Sequence, residues 1–479
     1  MRPKHSSVFN AIFLLEIWER FGYYSVQAIL AYFLVNHIGL NQAQSFILFG
    51  AYNALVYCFV AAGGYIGDKV LGAKRTMLMG LAVLLLGYLL LGFAGKAFIY
   101  FSLSLVCVGT GLFKSNPSSL LSKCYISEGP EHLQNAFTWY YMAINIGGVL
   151  GLFGSPIIAH HLGYSYSFIT SAIGMCLAFS TFFYHRKTLA TISTQAGSQQ
   201  LSIVKLITTI MLAILAVIIT SYLLMHIILA KIVLVVIALI VIIAFCIYGF
   251  YQTLSTQYRM TAAIILMVEA IIFQVLYLQM PTSINFFTIH NVTHQVLGLP
   301  IQAQSFQALD PIWIMIISPF LASFYVKLKK SGYNFNIARK FALGMFCCSA
   351  AFLTLFTSRY FANSQGIVSS WWIILSYFFQ ATGELLISAL GVAMVSELIP
   401  EEISGFAMGM WFVFLSIGNF LSGYVAALAS IPKHLVSDKA SSLIVYTSLF
   451  LKIGLIVLLI SLVMFLTSNF KTKLIGKIH

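Results

Sequence analysis

Long apolar segments, separated by short polar loops, make up almost the whole chain. About fourteen of these segments have roughly 18 residues or more, which is the length that an α-helix needs to cross the hydrocarbon core of a bilayer. The pattern therefore predicts an all-α integral membrane protein with fourteen transmembrane helices. The segments span approximately residues 9–36, 43–66, 75–94, 97–118, 135–159, 164–184, 203–224, 231–251, 261–288, 311–328, 340–357, 370–395, 404–429 and 443–467.

Two polar loops divide this series of helices. Residues 188–200, TLATISTQAGSQQ, and residues 251–260 bracket two helices that contain little except Leu, Ile, Val and Ala. Without that hairpin, six helices remain on each side, which is the arrangement of a transporter made of two halves with a central site. We interpret the hairpin as a structural insertion. The predicted domains are an N-terminal six-helix bundle (1–187), a linker with two extra transmembrane helices (188–258), a C-terminal six-helix bundle (259–470) and a cytoplasmic tail (471–479).

Composition and charge support a membrane protein and indicate its orientation. Of the 479 residues, 60% are hydrophobic and only 8% are charged, which excludes a soluble domain. If the N-terminus is cytoplasmic, the inner side receives seventeen Lys and Arg residues and the outer side five. This bias follows the positive-inside rule, so both termini are expected in the cytoplasm. It also accounts for the net charge of +14 without a nucleic-acid partner.

Few ionisable residues lie deep inside the predicted helices. Each would cost about 2.5 to 3.5 kcal/mol if it faced lipid alone. Such residues must therefore face one another, water or a ligand, and they are candidates for a functional site. They include Glu16, Glu19, Arg20, Lys114, Glu269 and Glu384.

Three of these residues belong to the stretch EIWERFGYY, residues 16–24. Glu16, Glu19, Arg20, Tyr23 and Tyr24 recur at helical spacing, so they share one face of the first helix. Glu16 can pair with Arg20 one turn later, and the tyrosine hydroxyls can hydrogen-bond to the pair or to a ligand. Two acids and one base leave a carboxylate without a local partner, and this carboxylate could carry a proton. The alternative is an internal ion pair that only fixes helix packing.

Several motifs resemble those of one transporter family. The loop GGYIGDKVLGAKR, residues 63–75, resembles the signature loop of the major facilitator superfamily. EIWERFGYY resembles the first-helix motif of the proton-dependent oligopeptide transporter family, and the further motifs resemble the bacterial di- and tripeptide permeases within it. They are GTGLFKSNPSSLLSKCY (109–125), FTWYYMAINIGGVLG (137–151), QMPTSINFF (279–287), SFQALDPIW (305–313), GELLISALGVAMVSEL (383–398) and GFAMGMWF (405–412).

The resemblance implies a major facilitator fold of two six-helix bundles plus the two-helix hairpin. It also implies specific roles for residues. Proton coupling would involve Glu16, Glu19, Arg20 and Glu384. The substrate-binding residues would be Arg20, Tyr24, Tyr57, Lys114, Asn145, Asp310, Glu384, Ser388 and Trp411, with Arg20 and Lys114 at the peptide carboxylate and Glu384 at its amino group. No cofactor and no metal are implied.

A physical argument agrees with these roles. A small peptide is a zwitterion with a variable side chain, so a permissive carrier should bind the charged ends and leave apolar space between them. Alternatives remain open for individual residues. Lys114 could extend to the cytoplasmic interface, Glu384 could form a purely structural pair, and Asn145 could belong to a helix-packing patch. Trp411 and the tyrosines could be interfacial belt residues.

This chain departs from the family pattern at three positions. Gln27 stands where many members have an arginine, and Leu278 where an acid is common, so that Glu269 either replaces that acid or only faces a neighbouring helix. Asp310 stands where the family usually has asparagine. It either adds an acid near the amino-binding end or caps a helix that has Pro311 in its first turn.

We therefore predict a proton-coupled symporter of di- and tripeptides that works by alternating access. The expected partners are the peptide, protons and membrane lipid, with a functional monomer in the cytoplasmic (inner) membrane. A carrier of another small zwitterion or anion, such as nitrate or a metabolite, is the alternative on the same fold. An intramembrane enzyme that uses Glu and Tyr as acid and base, or a peptide-sensing receptor, would belong to a different class.

Overall fold

The computed structural model describes residues 6–93, 95–125, 128–331, 337–432 and 438–476, which are almost entirely helical. The side chain of Ser388 and residues 477–479 of the predicted tail lie outside the described residues. The helices are α1 (Ser6–Asn36), α2 (Gln42–Tyr65), α3 (Ala73–Phe93), α4 (Ile99–Lys114), α5 (Asn116–Tyr125), α6 (Pro130–His161), α7 (Tyr164–Tyr184), α8 (Arg186–Leu189), α9 (Ile203–Met225), α10 (Ile227–Phe250), α11 (Leu254–Tyr277), α12 (Asn285–Asn291), α13 (Leu309–Lys330), α14 (Ile337–Thr357), α15 (Ser370–Leu398), α16 (Ser404–Ala427) and α17 (Lys439–Gly476).

Most of these helices are long and apolar enough to span a membrane. Within the described ranges, eleven candidate spans meet both criteria. The other three predicted segments correspond to α1, to α4 with α5, and to α15. These have 31 residues, 16 and 10 residues, and 29 residues respectively. The all-α membrane architecture is thus confirmed, and fourteen spans are compatible with it.

The chain divides into two compact units. The first comprises residues up to Gly39 together with Ala51–Ala230, and the second comprises Leu40–Gly50 together with the residues from Lys231 onward. Of the two hairpin helices, α9 therefore belongs to the first unit and α10 to the second. The limits predicted for the bundles, the linker and the tail stay predictions.

In the first unit, α1 packs closely against α6 and α7 through glycines. A Cβ atom added at Gly147 would lie 2.6 Å from the carbonyl oxygen of Ile17, and one added at Gly151 would lie 2.7 Å from that of Phe21. Gly147 and Gly151 are one turn apart, so they form the small-residue stripe that lets two membrane helices approach closely. This contact fixes the height and rotation of α1, which carries EIWERFGYY.

The loop that follows α2 is held by polar contacts within the first unit. Residues Ile66–Val70 form a π-helical turn, and Gly72 adopts a φ of 92° before α3 begins. Oδ1 of Asp68 accepts a hydrogen bond of 2.9 Å from Ser119 on α5. Lys74 donates to the carbonyl oxygen of Leu189 at the end of α8 (3.0 Å) and to that of Ile192 just after it (2.8 Å). The segment around the end of α8 is therefore attached to the loop between α2 and α3.

In the second unit, polar contacts between apolar helices set the helix packing. Nε2 of Gln274 on α11 donates to Oδ1 of Asn419 on α16 at 2.7 Å, and Ser349 on α14 donates to the Gly454 carbonyl on α17 at 2.7 Å. Nε1 of Trp313 donates to the Ile374 carbonyl at 3.2 Å, which joins the first turns of α13 and α15. Such bonds are specific in a bilayer because lipid offers no competing partners.

A short hairpin precedes α13. Strands β1 (Gln295–Val296) and β2 (Leu299–Pro300) pair antiparallel, with Val296 opposite Leu299. The two turn residues, Leu297 and Gly298, both have positive φ, at 51° and 81°. Two consecutive positive φ values are the geometry of the tight hairpin turn that matches strand twist.

The glycine stripe on α6 gives a test of this packing. We expect Gly151→Ala to lower the thermal midpoint in detergent, because the new methyl group would meet the α1 backbone and overpacking costs about 1 to 3 kcal/mol. Gly154→Ala is the matched control on the same helix, since nothing lies within 4 Å of its added Cβ. Equal midpoints for the two variants would contradict the close approach of α1 and α6.

Candidate functional site

The first unit holds a buried cluster of two acids and one base on α1. The exposed fractions of Glu16, Glu19 and Arg20 are 1%, 0% and 3%. Nη2 of Arg20 lies 2.5 Å from Oε2 of Glu19, and Nε of Arg20 lies 3.3 Å from Oε1 of Glu16. Both carboxylates therefore share one guanidinium. The prediction that one carboxylate lacks a local partner is therefore wrong, because Arg20 contacts both Glu16 and Glu19.

Two residues outside the predicted set complete this cluster. Tyr140 on α6 donates its hydroxyl to Oε2 of Glu16 at 2.7 Å, and Tyr23 donates to Oδ1 of Asn53 on α2 at 2.9 Å. Tyr140 lies seven residues before Gly147, and helical spacing places both on one face of α6. The glycine stripe in FTWYYMAINIGGVLG thus contained a signal for Tyr140 that sequence analysis did not use. No comparable sequence signal pointed to Asn53.

Lys114 lies at the end of α4 in the same unit. Its Nζ sits 4.2 Å from the centre of the Tyr57 ring on α2, so a cation–π contact holds the ammonium group. Its charge also acts on Glu16 and Glu19. The structure therefore brings Lys114 and Tyr57 together beside the α1 cluster.

Asn145 and Tyr24 are two further predicted residues of the first unit. Asn145 is 5% exposed, and its Nδ2 donates to the Tyr141 carbonyl one turn earlier at 2.8 Å. This bond uses one of the two N–H donors of the Asn145 amide. The Tyr24 ring packs edge-on against that of Tyr23, with centroids 5.5 Å apart.

The second unit contains its own acidic pair. Glu384 lies at the middle of α15, and Asp310 lies in the first turn of α13 with an exposed fraction of 5%. The two side chains are hydrogen-bonded to each other. Oδ1 of Asp310 accepts no hydrogen bond from the described residues. The structure thus places Asp310 beside Glu384 and in the first turn of α13, and both interpretations of its role stay predictions.

The other predicted residues of the second unit are Trp411, Glu269 and Ser388. Trp411 on α16 is 6% exposed, so it is a buried residue and not part of an interfacial belt. Glu269 on α11 is 7% exposed and is buried in this unit. Ser388 lies on α15 one turn after Glu384, and its side chain falls outside the described residues.

Comparisons with known proteins agree with these motifs. Residues 74–440 match the model of the POT family. The chain is 44% identical over 459 residues to dipeptide and tripeptide permease B of Aeromonas hydrophila, covering 95% of this chain and 91% of the relative. It is 42% identical over 473 residues to dipeptide and tripeptide permease A of Pectobacterium carotovorum, covering 98% and 92%. The crystal structure of tetrameric PepTSo2 superposes with a TM-score of 0.88 at 32% identity, covering 98% of this chain and 99% of that one.

The hydroxyl of Tyr140 gives a test of the α1 cluster. We expect Tyr140→Phe to destabilise the protein by about 1 to 3 kcal/mol, because a buried carboxylate loses its donor without gaining water. The measurement is the thermal midpoint in detergent. Tyr184→Phe is the control, since that side chain is 85% exposed on α7. An unchanged midpoint in Tyr140→Phe would show that the hydroxyl contributes nothing to holding Glu16.

Proposed function

The chain belongs to the POT family, and on that basis we propose that it moves di- and tripeptides together with protons across the cytoplasmic membrane by alternating access. The family is one of membrane carriers, and relatives named dipeptide and tripeptide permeases match it over nearly their full lengths. The observation that carries the proton role is the buried cluster in which Glu16 and Glu19 share Arg20.

The charge of this cluster explains why it would bind a proton. Two ionised carboxylates and one guanidinium carry a net charge of −1 in a site that is almost inaccessible to water, and the Lys114 ammonium, which also acts on both carboxylates, is proposed to pair with the carboxylate of the peptide. An uncompensated buried charge is costly, and one added proton makes the cluster neutral. Glu16 or Glu19 takes up that proton. Arg20 and Tyr140 hold the two carboxylates in place in both protonation states.

Lys114 is proposed to bind the carboxylate of the peptide. In the described part of the chain its ammonium rests on the Tyr57 ring, which leaves its hydrogen-bond donors available to an anion. Arg20 on α1 supplies the second positive charge of this unit's site. Asn145, Tyr24 and Tyr57 are proposed to line the same site.

The amino group of the peptide is proposed to bind at Glu384. The acidic pair that Glu384 forms with Asp310 provides the negative charge. Trp411, which is buried on α16, and Ser388 are proposed to line this part of the site. The carrier alternates between states that are open to opposite sides of the membrane. The peptide and the proton shift this equilibrium because each binds one state more tightly than the other.

Location, orientation and assembly complete the proposal. The chain is a multi-pass membrane protein, and we place it in the bacterial inner membrane with both termini in the cytoplasm, in agreement with the positive-inside rule. A monomer is proposed to suffice for transport, because the residues assigned to both ends of the peptide belong to one chain. The structural relative PepTSo2 is tetrameric in its crystal structure.

The first test is uptake of labelled dialanine into proteoliposomes with an inward proton gradient. We expect a protonophore to abolish accumulation, and Glu384→Gln to reduce uptake by about tenfold or more, because hydrogen bonds to charged groups contribute about 1.5 to 3 kcal/mol. Glu401→Gln, which removes an exposed acid before α16, is the control and should transport normally.

Four results would change the assignment. Uptake that ignores the protonophore would remove the proton role given to Glu16 and Glu19. If dialanine and tripeptides are inert while nitrate or another small anion accumulates, the alternative carrier function replaces peptide transport. Chemical change of the recovered peptide would indicate an enzyme, and binding without accumulation would indicate a receptor.

A second test separates the two ends of the peptide. We expect Lys114→Gln to weaken dialanine binding by about tenfold, because an ionic hydrogen bond to the carboxylate is lost. Dialaninamide lacks that carboxylate, so its weaker binding should change by less than about twofold. Calorimetric titration of both ligands against both proteins measures the coupling. Equal losses for the two ligands would show that Lys114 acts on the fold and not on the carboxylate.

A further inference from the structure

The acidic pair of the second unit contains a proton that the proposed transport cycle does not use. Asp310 and Glu384 are hydrogen-bonded to each other through their side chains. An ionised carboxylate can only accept hydrogen bonds, so two carboxylates cannot bond to one another. One of the two groups must therefore be a carboxylic acid that donates to the other.

The surroundings of the pair favour one proton and one negative charge. Asp310 is 5% exposed, and the titratable groups that act on it or on its partner include the Cys348 thiol on α14 and the Tyr377 phenol on α15. Both are neutral at pH 7, so neither offsets a second negative charge. Two carboxylates in contact would repel each other in a site that water does not enter, and a shared proton removes this repulsion.

An independent feature of α15 indicates that a ligand completes this site. Gln380 is 1% exposed, and neither its Oε1 nor its Nε2 has a hydrogen-bond partner among the described residues. It lies one turn before Glu384, so helical spacing places the two side chains on the same face of α15. A buried amide with both groups unsatisfied is costly, and a polar ligand beside the acids would satisfy it.

We propose that Asp310 and Glu384 share one proton and together present a single negative charge, matched to the single positive charge of a peptide's amino terminus, with the Gln380 amide as an additional contact. This proposal rests on the proposed peptide transport. When the ammonium group binds, the acid, the carboxylate and the ammonium sum to zero charge, so the proton stays on the pair. Protonated Asp310 then offers one donor and one acceptor, as an asparagine would.

The pair of Asp310 and Glu384 thus has a different function from the cluster on α1. The α1 cluster changes its protonation during transport, whereas the acidic pair keeps its proton and sets the charge that the amino group meets. Asp310 is a positioning residue, since it acts through Glu384.

The experiment is infrared difference spectroscopy of the purified protein near pH 6, combined with dialanine titration. The chain has only 12 Asp and Glu residues, so the carbonyl stretch of one protonated carboxylic acid can be resolved by subtraction. We expect the wild type to show a band that Asp310→Asn loses and that Glu401→Gln, a change at an exposed acid far along the chain from Asp310, keeps. In Glu384→Gln the band should shift, because the acceptor of its proton becomes a neutral amide.

The titrations give a second readout. Asp310→Asn should keep dialanine affinity within about threefold, because asparagine reproduces the donor and acceptor of a protonated aspartate. Gln380→Leu should weaken binding by about tenfold without moving the band, since it removes only the amide contact.

Three results would overturn the proposal. They are a wild-type spectrum without the band, a band that Glu384→Gln leaves unmoved, and a loss of affinity in Asp310→Asn as large as that in Glu384→Gln. The spectra require no transport. If dialanine neither binds nor enters, the proposed function fails, whereas the band still decides whether the pair shares a proton.

Discussion

The cost of burying charge in an apolar environment is the constraint on which the rest of this structure depends. With 8% charged residues, the chain places acids inside its helices at only a few positions, and each must be compensated. In the first unit, Arg20 pairs with two carboxylates at once and Tyr140 donates a hydrogen bond to one of them. In the second unit, the carboxyls of Asp310 and Glu384 are hydrogen-bonded to each other, which requires a proton on one of them. These are different solutions to one electrostatic problem.

The glycine stripe on α6 serves the first of these solutions. Gly147 and Gly151 allow α1 to approach until its backbone touches α6, and only at that distance can the hydroxyl of Tyr140 reach Glu16. Packing and electrostatics are therefore coupled. The small residues that let α1 and α6 approach each other also bring the Tyr140 hydroxyl to the buried carboxylate of Glu16. A larger residue in the stripe would disturb both.

Much of the fold was predictable because bilayer thickness fixes helix length and because few charges interrupt the apolar segments. The all-α membrane class and the transporter family followed from the segments and motifs. The break at Ser115 between α4 and α5 and the π-helical turn after α2 did not, since neither leaves a hydrophobic pattern. Among site residues, Glu16, Glu19 and Arg20 were predicted because an ionisable residue inside an apolar helix stands out.

The sequence by itself determined which side chains carry charge inside the membrane, which face of α1 they share and which family the motifs resemble. Tertiary structure alone decided the partners. It joined Tyr140 to Glu16 and Tyr23 to Asn53, and paired Asp310 with Glu384 across 74 residues of chain. The physical reason is that periodicity within one helix fixes only direction, whereas a hydrogen bond between helices depends on their separation, height and rotation.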